Sequence, residues 1–137
     1  PAPGVMADIQ AAVDYAAKTS GGKVGIVGYC WGGLLAWRAA ALVKGLSAAV
    51  PYYGGGSTMD EEIARHPHCL VLAHYAEQDH WIPLETVEKF KHAHPEVEVH
   101  LYPADHGFNC DHRGAYQEAS AKLALLRTLA FFAKHVG

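Results

Sequence analysis

Residues 23–33 read KVGIVGYCWGG, a strand pattern that turns abruptly into a helix with Cys30 at the corner. This is the pattern of a nucleophile elbow, a turn so tight that glycines are needed on both sides of the apex. Gly28 lies two positions before the thiol and Gly32 two positions after it, so we expect a Cβ to clash at both. The corner also places the thiol at a helix N-terminus, where the helix dipole favours the nucleophilic thiolate.

The composition indicates one modest domain in the cytoplasm. The chain has 137 residues, half of them apolar, and a formal charge of −3 without blocks of like charge. This balance argues against a nucleic-acid partner or an anionic membrane surface. No run approaches the ~18 apolar residues of a membrane span, and the first residues carry no signal pattern. Three cysteines at unrelated spacings do not form a disulfide framework and fit a reducing compartment.

Helical and strand patterns alternate along the chain. The strand patterns cover residues 24–27, 46–53, 69–75 and 97–102, and the helical patterns cover 5–18, 31–44, 60–65, 83–92 and about 115–136. This alternation predicts an α/β fold with about four parallel strands and helices on both faces of the sheet. We see no repeat and no linker, so a single domain is expected over residues 1–137.

Three reactive side chains follow three of the predicted strands. Cys30 follows the first strand, Asp79 the third and His106 the fourth. Ligands of parallel sheets bind at the carboxyl ends of the strands, so these side chains are predicted to meet at one rim. Their chain order, nucleophile then acid then histidine, is the order of α/β-hydrolases.

Four motifs in order resemble the dienelactone hydrolase family, which consists of cysteine-dependent α/β-hydrolases. They are residues 28–33 (GYCWGG), 51–54 (PYYG), 78–83 (QDHWIP) and 106–108 (HGF). The resemblance covers essentially the whole chain as the C-terminal part of a family member. It implies a truncated α/β-hydrolase fold and a cofactor-free hydrolase of carboxylic esters or lactones. Cys30 would be the nucleophile, His106 the base, Asp79 the orienting acid, and the Trp31 N–H an oxyanion donor.

The same resemblance suggests the substrate class. Four aromatic residues are predicted to bind substrate, namely Tyr52, Tyr53, Trp81 and Phe108. For Tyr52, Tyr53 and Trp81, a position in the core is the alternative to one in the pocket wall. A full-length member carries about another half-domain upstream, with earlier strands, a second oxyanion donor, a glutamate and an arginine that this chain lacks. The family enzyme for dienelactone also has an arginine a few residues after its histidine, whereas here the first arginine after the histidine is the later Arg113. A neutral short-chain ester is therefore expected.

Several alternatives remain open from the sequence. Asp105 is a rival acid beside His106, and Asp79 could instead cap the helix predicted after it. Cys69 and Cys110 are expected to be structural. A metal site could be formed by His66, His68, His74 and His80, or by His106, Cys110 and His112, although neither set has the paired spacing of structural zinc. The rival functions are a catalytically weak hydrolase-like fragment that acts as an association module, and a histidine-rich metal-binding domain.

The strand over residues 24–27 is predicted to lie at the edge of the sheet. The resemblance places another strand beside it in full-length members, and no charge or proline within it blunts pairing. The adjoining apolar face is expected to be uncovered as well. We therefore predict a homodimer, formed either through this edge or through helices packed over the same face.

Overall fold

The structure, a computed structural model, describes residues 2–108 and 117–137. Its elements in chain order are α1 (Ala2–Ser20), β1 (Val24–Tyr29), α2 (Trp31–Leu42), β2 (Leu46–Tyr52), α3 (Asp60–Ile63), β3 (Leu70–Ala76), α4 (Leu84–Ala93), β4 (Glu98–Tyr102) and α5 (Glu118–His135). The predicted α/β alternation is confirmed, and the predicted start of the last helix near residue 115 lies outside the described residues. No helix of the described part is long and apolar enough to cross a bilayer.

The four strands form one parallel sheet in the order β1-β2-β3-β4. The two central strands are buried over most of their length, which explains why they are continuous apolar runs rather than alternating patterns. Because all four strands are parallel, the segments that follow them emerge at the same edge. This arrangement is a partial α/β-hydrolase fold.

Helices cover both faces of the sheet, as predicted. His74 and Tyr75 are neighbours on β3, so their side chains point to opposite faces. His74 bonds to Thr128 of α5, whereas the Tyr75 ring lies 6.0 Å from that of Phe90 in α4. Trp37 of α2 also packs on Phe90, with ring centroids 4.8 Å apart. Thus α2 and α4 lie on one face and α5 on the other.

A buried polar network joins α5 to the sheet through the Thr128 hydroxyl. This hydroxyl donates to the Ala124 carbonyl at 2.8 Å, the preceding turn of the same helix. It also lies 2.9 Å from the Tyr52 hydroxyl and 2.8 Å from Nε2 of His74. Because the threonine's single proton is engaged, both of these groups must donate to its oxygen.

The hydrogen bonds of His74 fit a neutral ring. Its Nε2 carries the proton donated to Thr128, so Nδ1 is free to accept from the Tyr102 hydroxyl at 2.7 Å. The Tyr102 oxygen in turn accepts from Nη1 of Arg127 at 3.2 Å. Burial lowers the pKa of His74 to about 3, with further contributions from His100 and Arg127. Protonation of His74 would therefore disrupt the attachment of α5.

This network predicts acid-sensitive stability. The pKa of His74 is lower in the folded state than in the unfolded chain, so its contribution is complete above about pH 6.5 and falls as the pH drops toward 3. We expect the free energy of unfolding to decrease by up to about 1.4 kcal/mol per pH unit in this window. Urea unfolding at several pH values should show a shallower dependence for His74→Gln than for the wild type. His92→Gln, at an exposed site on α4, should keep the wild-type slope. Equal slopes for all three proteins would contradict this account.

The β1 strand lies at the sheet edge, as predicted from the sequence. In the described chain it pairs only with β2, over Val24–Tyr29. The adjoining face is less bare than expected, because Phe132 and Val136 approach Gly25 so closely that a Cβ there would lie 2.8 Å from the Phe132 ring. Within residues 2–108 and 117–137, no strand pairs with the outer side of β1.

We expect a homodimer from this edge, which sedimentation velocity at micromolar concentrations can test. Val27 is half-exposed on β1, and Val27→Lys places a charge where an edge-to-edge contact would form. This variant should sediment as a monomer, whereas Val27→Thr, which retains strand propensity, should remain dimeric. A monomeric wild-type chain would contradict the prediction.

Candidate active site

The corner at Cys30 is as tight as its sequence implies. Cys30 has φ 55° and ψ −118°, an unfavourable conformation for a side chain. A Cβ on Gly28 would lie 2.0 Å from the carbonyl oxygen of Gly32, so the prediction for Gly28 is confirmed. The prediction for Gly32 is wrong, because a Cβ there would meet nothing within 4 Å. Gly32 contributes its backbone to the contact with Gly28. The second position in the corner without room for a side chain is Gly33, where a Cβ would lie 2.5 Å from the carbonyl oxygen of Tyr52.

A second strained corner lies beside the first. Tyr53, directly after β2, has φ 35°. Its N–H donates to the His74 carbonyl at 2.6 Å, and the Cys30 N–H donates to the Tyr52 carbonyl at 3.1 Å. Strained residues persist where the surrounding structure holds them, and such residues concentrate at functional sites. The ends of β1, β2 and β3 thus brace the turn that carries the thiol.

A buried carboxylate holds the imidazole of His106. Nδ1 of His106 lies 2.5 Å from Oδ2 of Asp79, whose side chain is fully buried. The other carboxylate oxygen accepts backbone N–H groups of Trp81 at 2.7 Å and Ile82 at 3.1 Å. Because Nδ1 must donate to the carboxylate, Nε2 of the neutral ring is left as a base.

The geometry favours Asp79 over the alternatives for the acid. Asp105 accepts the backbone N–H of His106 at 2.9 Å, whereas Asp79 is the carboxylate that bonds the ring. Asp79 does not cap α4 either, since the N-cap of that helix is Pro83. Its second oxygen instead closes the turn after β3.

A cavity of about 410 Å³ brings the reactive groups together at the carboxyl ends of the strands. Its lining consists of Cys30, Trp31, Gly55, Trp81 and His106. As the first residue of α2, Trp31 has a backbone N–H without an intrahelical acceptor, so this group is available to an oxyanion. The cavity can therefore present a nucleophile, a base and a hydrogen-bond donor to one carbonyl group.

Of the four predicted substrate-binding residues, Trp81 lines this cavity. Tyr52, Tyr53 and Phe108 are buried in the core behind it and do not form its lining. The Tyr53 ring lies 5.1 Å from the His106 ring and supports the imidazole, and the Phe108 ring packs 5.1 Å from that of Tyr53. This supporting role was not predicted, and the only signal for it in the sequence is the pair of tyrosines before the glycine run at 54–56.

The metal alternative has no geometric basis in residues 2–108 and 117–137, where no group of three His, Cys, Asp or Glu side chains could hold an ion. Cys110 and His112 fall outside those residues. His74 is occupied by its hydrogen bonds to Tyr102 and Thr128. Cys69 lies directly before β3, at the end of the sheet opposite Cys30, and burial raises its pKa to about 11.

Comparison with known proteins identifies relatives along nearly the whole chain. A model of the dienelactone hydrolase family matches residues 3–136. A carboxymethylenebutenolidase of Pseudomonas putida is 37% identical over 137 residues, covering 93% of this chain and 56% of the relative. A Salmonella typhi protein provisionally given that name is 36% identical, covering 97% and 55%. The chain thus spans about half the length of these relatives.

Solved structures show the same relationship. A crystal structure from Klebsiella pneumoniae, provisionally named a dienelactone hydrolase, matches with a TM-score of 0.89 and 35% identity, covering 98% of this chain and 62% of the other. A Pyrococcus furiosus esterase matches with a TM-score of 0.73 at 16% identity, covering 96% and 62%. The latter match concerns the fold alone.

The two described cysteines should differ in reactivity. With a pKa near 11, Cys69 holds about a hundredfold less thiolate at pH 8 than an ordinary cysteine. We expect iodoacetamide to modify Cys30 at least tenfold faster than Cys69, as followed by peptide mass spectrometry. In urea the two rates should converge, which provides the control. Equal rates in the folded protein would show that the corner does not activate its thiol.

Proposed function

This chain belongs to the dienelactone hydrolase family, and from that premise we propose that it hydrolyses small carboxylic esters or lactones through Cys30, His106 and Asp79. The observation that carries the proposal is the His106–Asp79 hydrogen bond beside the cavity that Cys30 also lines. The Trp31 N–H, which has no intrahelical acceptor at the start of α2, supports the same chemistry.

In the proposed reaction, Nε2 of His106 takes the proton of the Cys30 thiol as sulfur attacks the carbonyl carbon. The tetrahedral intermediate places its oxyanion near the Trp31 N–H and collapses as the alcohol leaves with the proton held by His106. His106 then removes a proton from water, which attacks the thioester. The carboxylic acid is released and the proton returns to the thiol.

Asp79 serves this cycle by fixing the ring and stabilising its charged form. Its carboxylate accepts the ring N–H and two backbone N–H groups, so it is held in place while the imidazole gains and loses its second proton. Because it orients the base without bonding the substrate, its loss should be less severe than loss of the base.

We propose a neutral ester as the substrate class. The described residues that line the cavity include no lysine or arginine to pair with a substrate carboxylate. The carboxylated dienelactone of the family enzyme would need such a group. An uncharged short-chain ester needs no charged partner in the cavity and therefore fits this lining.

Substitution of the three proposed catalytic residues tests the mechanism. Cys30→Ala and His106→Ala should lower the steady-state hydrolysis of p-nitrophenyl acetate by several orders of magnitude, and Asp79→Asn by less. Asp105→Asn should have a smaller effect than Asp79→Asn, because Asp105 does not bond the ring. Only turnover beyond one product per chain is counted, since any reactive thiol is acylated once by this reagent.

Two results would contradict the proposal. Undiminished turnover by Cys30→Ala would exclude the thiol as nucleophile, and a crippled Asp105→Asn beside an active Asp79→Asn would reverse the assignment of the acid. A folded wild-type chain without turnover on any short ester would favour the association-module alternative.

A further inference from the structure

Two of the three tryptophans are exposed at the same cavity. Trp31 and Trp81 are 60% and 78% exposed, and both residues line the cavity of about 410 Å³. Trp37, by contrast, is completely buried. Exposure of an indole ring leaves the protein without the large hydrophobic stabilisation that its burial would give. Two such side chains beside one reactive thiol form what we call the tryptophan rim, comprising Trp31 and Trp81.

The backbone ties the tryptophan rim to the reacting groups. Trp31 directly follows Cys30 and begins α2. The Trp81 N–H donates to Oδ1 of Asp79, the carboxylate whose other oxygen bonds His106. A group held by these indoles would therefore be placed next to both the nucleophile and the base.

The chemistry of the lining selects the kind of group. Indole faces and edges favour flat aromatic rings, with about 0.5–1.5 kcal/mol per ring pair beyond the area buried. A quaternary ammonium also binds aromatic faces, but no carboxylate is among the described residues of the lining. The Asp79 charge is fully buried and engaged by His106.

We propose that the tryptophan rim determines specificity by binding a flat, neutral aromatic group of the ester. This inference rests on the proposed esterase function and narrows its substrates to aryl-substituted esters. Trp31 and Trp81 are then specificity-determining residues, while Cys30 and His106 perform the chemistry.

Two acetate esters of primary alcohols isolate the aromatic contribution. Benzyl acetate and cyclohexylmethyl acetate have the same ester linkage and similar size, but only the first carries a flat ring. We expect kcat/KM to be about fivefold higher for benzyl acetate. Trp31→Leu and Trp81→Leu should each lower this ratio, and Trp81→Phe should retain most of it. Tyr15→Leu removes an exposed aromatic residue on α1, outside the cavity lining, and should leave the ratio unchanged.

A wild-type ratio of one or less, or a ratio that survives both leucine substitutions, would overturn the inference. A cationic preference is tested with acetylcholine and its neutral isostere 3,3-dimethylbutyl acetate. A marked preference for acetylcholine would show that the tryptophan rim recognises an ammonium group instead.

A binding measurement separates failure of this inference from failure of the proposed function. In Cys30→Ala, indole ¹H–¹⁵N resonances are followed while benzyl methyl ketone or cyclohexylmethyl methyl ketone is added. The benzyl ketone should shift the resonances of Trp31 and Trp81 more strongly than its saturated counterpart. Trp37 provides an internal reference, because its buried indole N–H donates to the Glu62 carbonyl at 2.9 Å. If the resonances shift selectively but the wild type turns over no ester, the proposed esterase function is refuted and aromatic recognition is retained. If esters are turned over but the shifts are not selective, only the inference about the tryptophan rim is refuted.

Discussion

The close approach of β1 to the start of α2 is the constraint on which the site depends. With 2.0 Å between a hypothetical Cβ of Gly28 and the Gly32 carbonyl oxygen, any side chain there would push the helix away from the strand. Gly33 imposes the same limit against β2 through the Tyr52 carbonyl. Cys30 is held in its strained conformation because both of its flanks are fixed, and this conformation keeps the thiol at the rim of the sheet.

Buried hydrogen bonds attach α5 to the face of the sheet opposite α2 and α4. The hydrogen bonds around Thr128 and His74 give each of these polar groups a partner, and no buried side-chain nitrogen or oxygen in the described residues lacks one. Removing one member would leave its neighbour unsatisfied, at a cost of about 1–3 kcal/mol. His74 also connects this network to the site, because its carbonyl accepts the N–H of the strained Tyr53.

The fold could be predicted well from the sequence because the patterns that determine it extend over short stretches of the chain. Strand and helix periodicities and the glycine corner are legible over short windows, and parallel topology then places all strand ends at one edge. Other features depend on how separate segments meet. Whether Asp79 or Asp105 bonds His106 depends on the conformation of the loops that carry them. Likewise, a Cβ would clash at Gly33 and not at Gly32, because Gly33 is the α2 residue that faces β2. Burial of Tyr52 could not be distinguished from a pocket position, since β2 is apolar on both faces.

The His106–Asp79 pair and Cys30 are positioned by separate sets of contacts, and this explains why a partial α/β-hydrolase fold can contain both. Asp79 draws together the turn after β3 and the ring that follows β4, using hydrogen bonds within these two segments. Cys30 is fixed by backbone contacts among β1, β2 and α2. The sheet connects the two arrangements, together with Tyr53, whose ring lies 5.1 Å from that of His106 and whose neighbour Tyr52 accepts the Cys30 N–H. The three proposed reacting residues lie in the segments that directly follow β1, β3 and β4, so the parallel sheet places all of them at one edge.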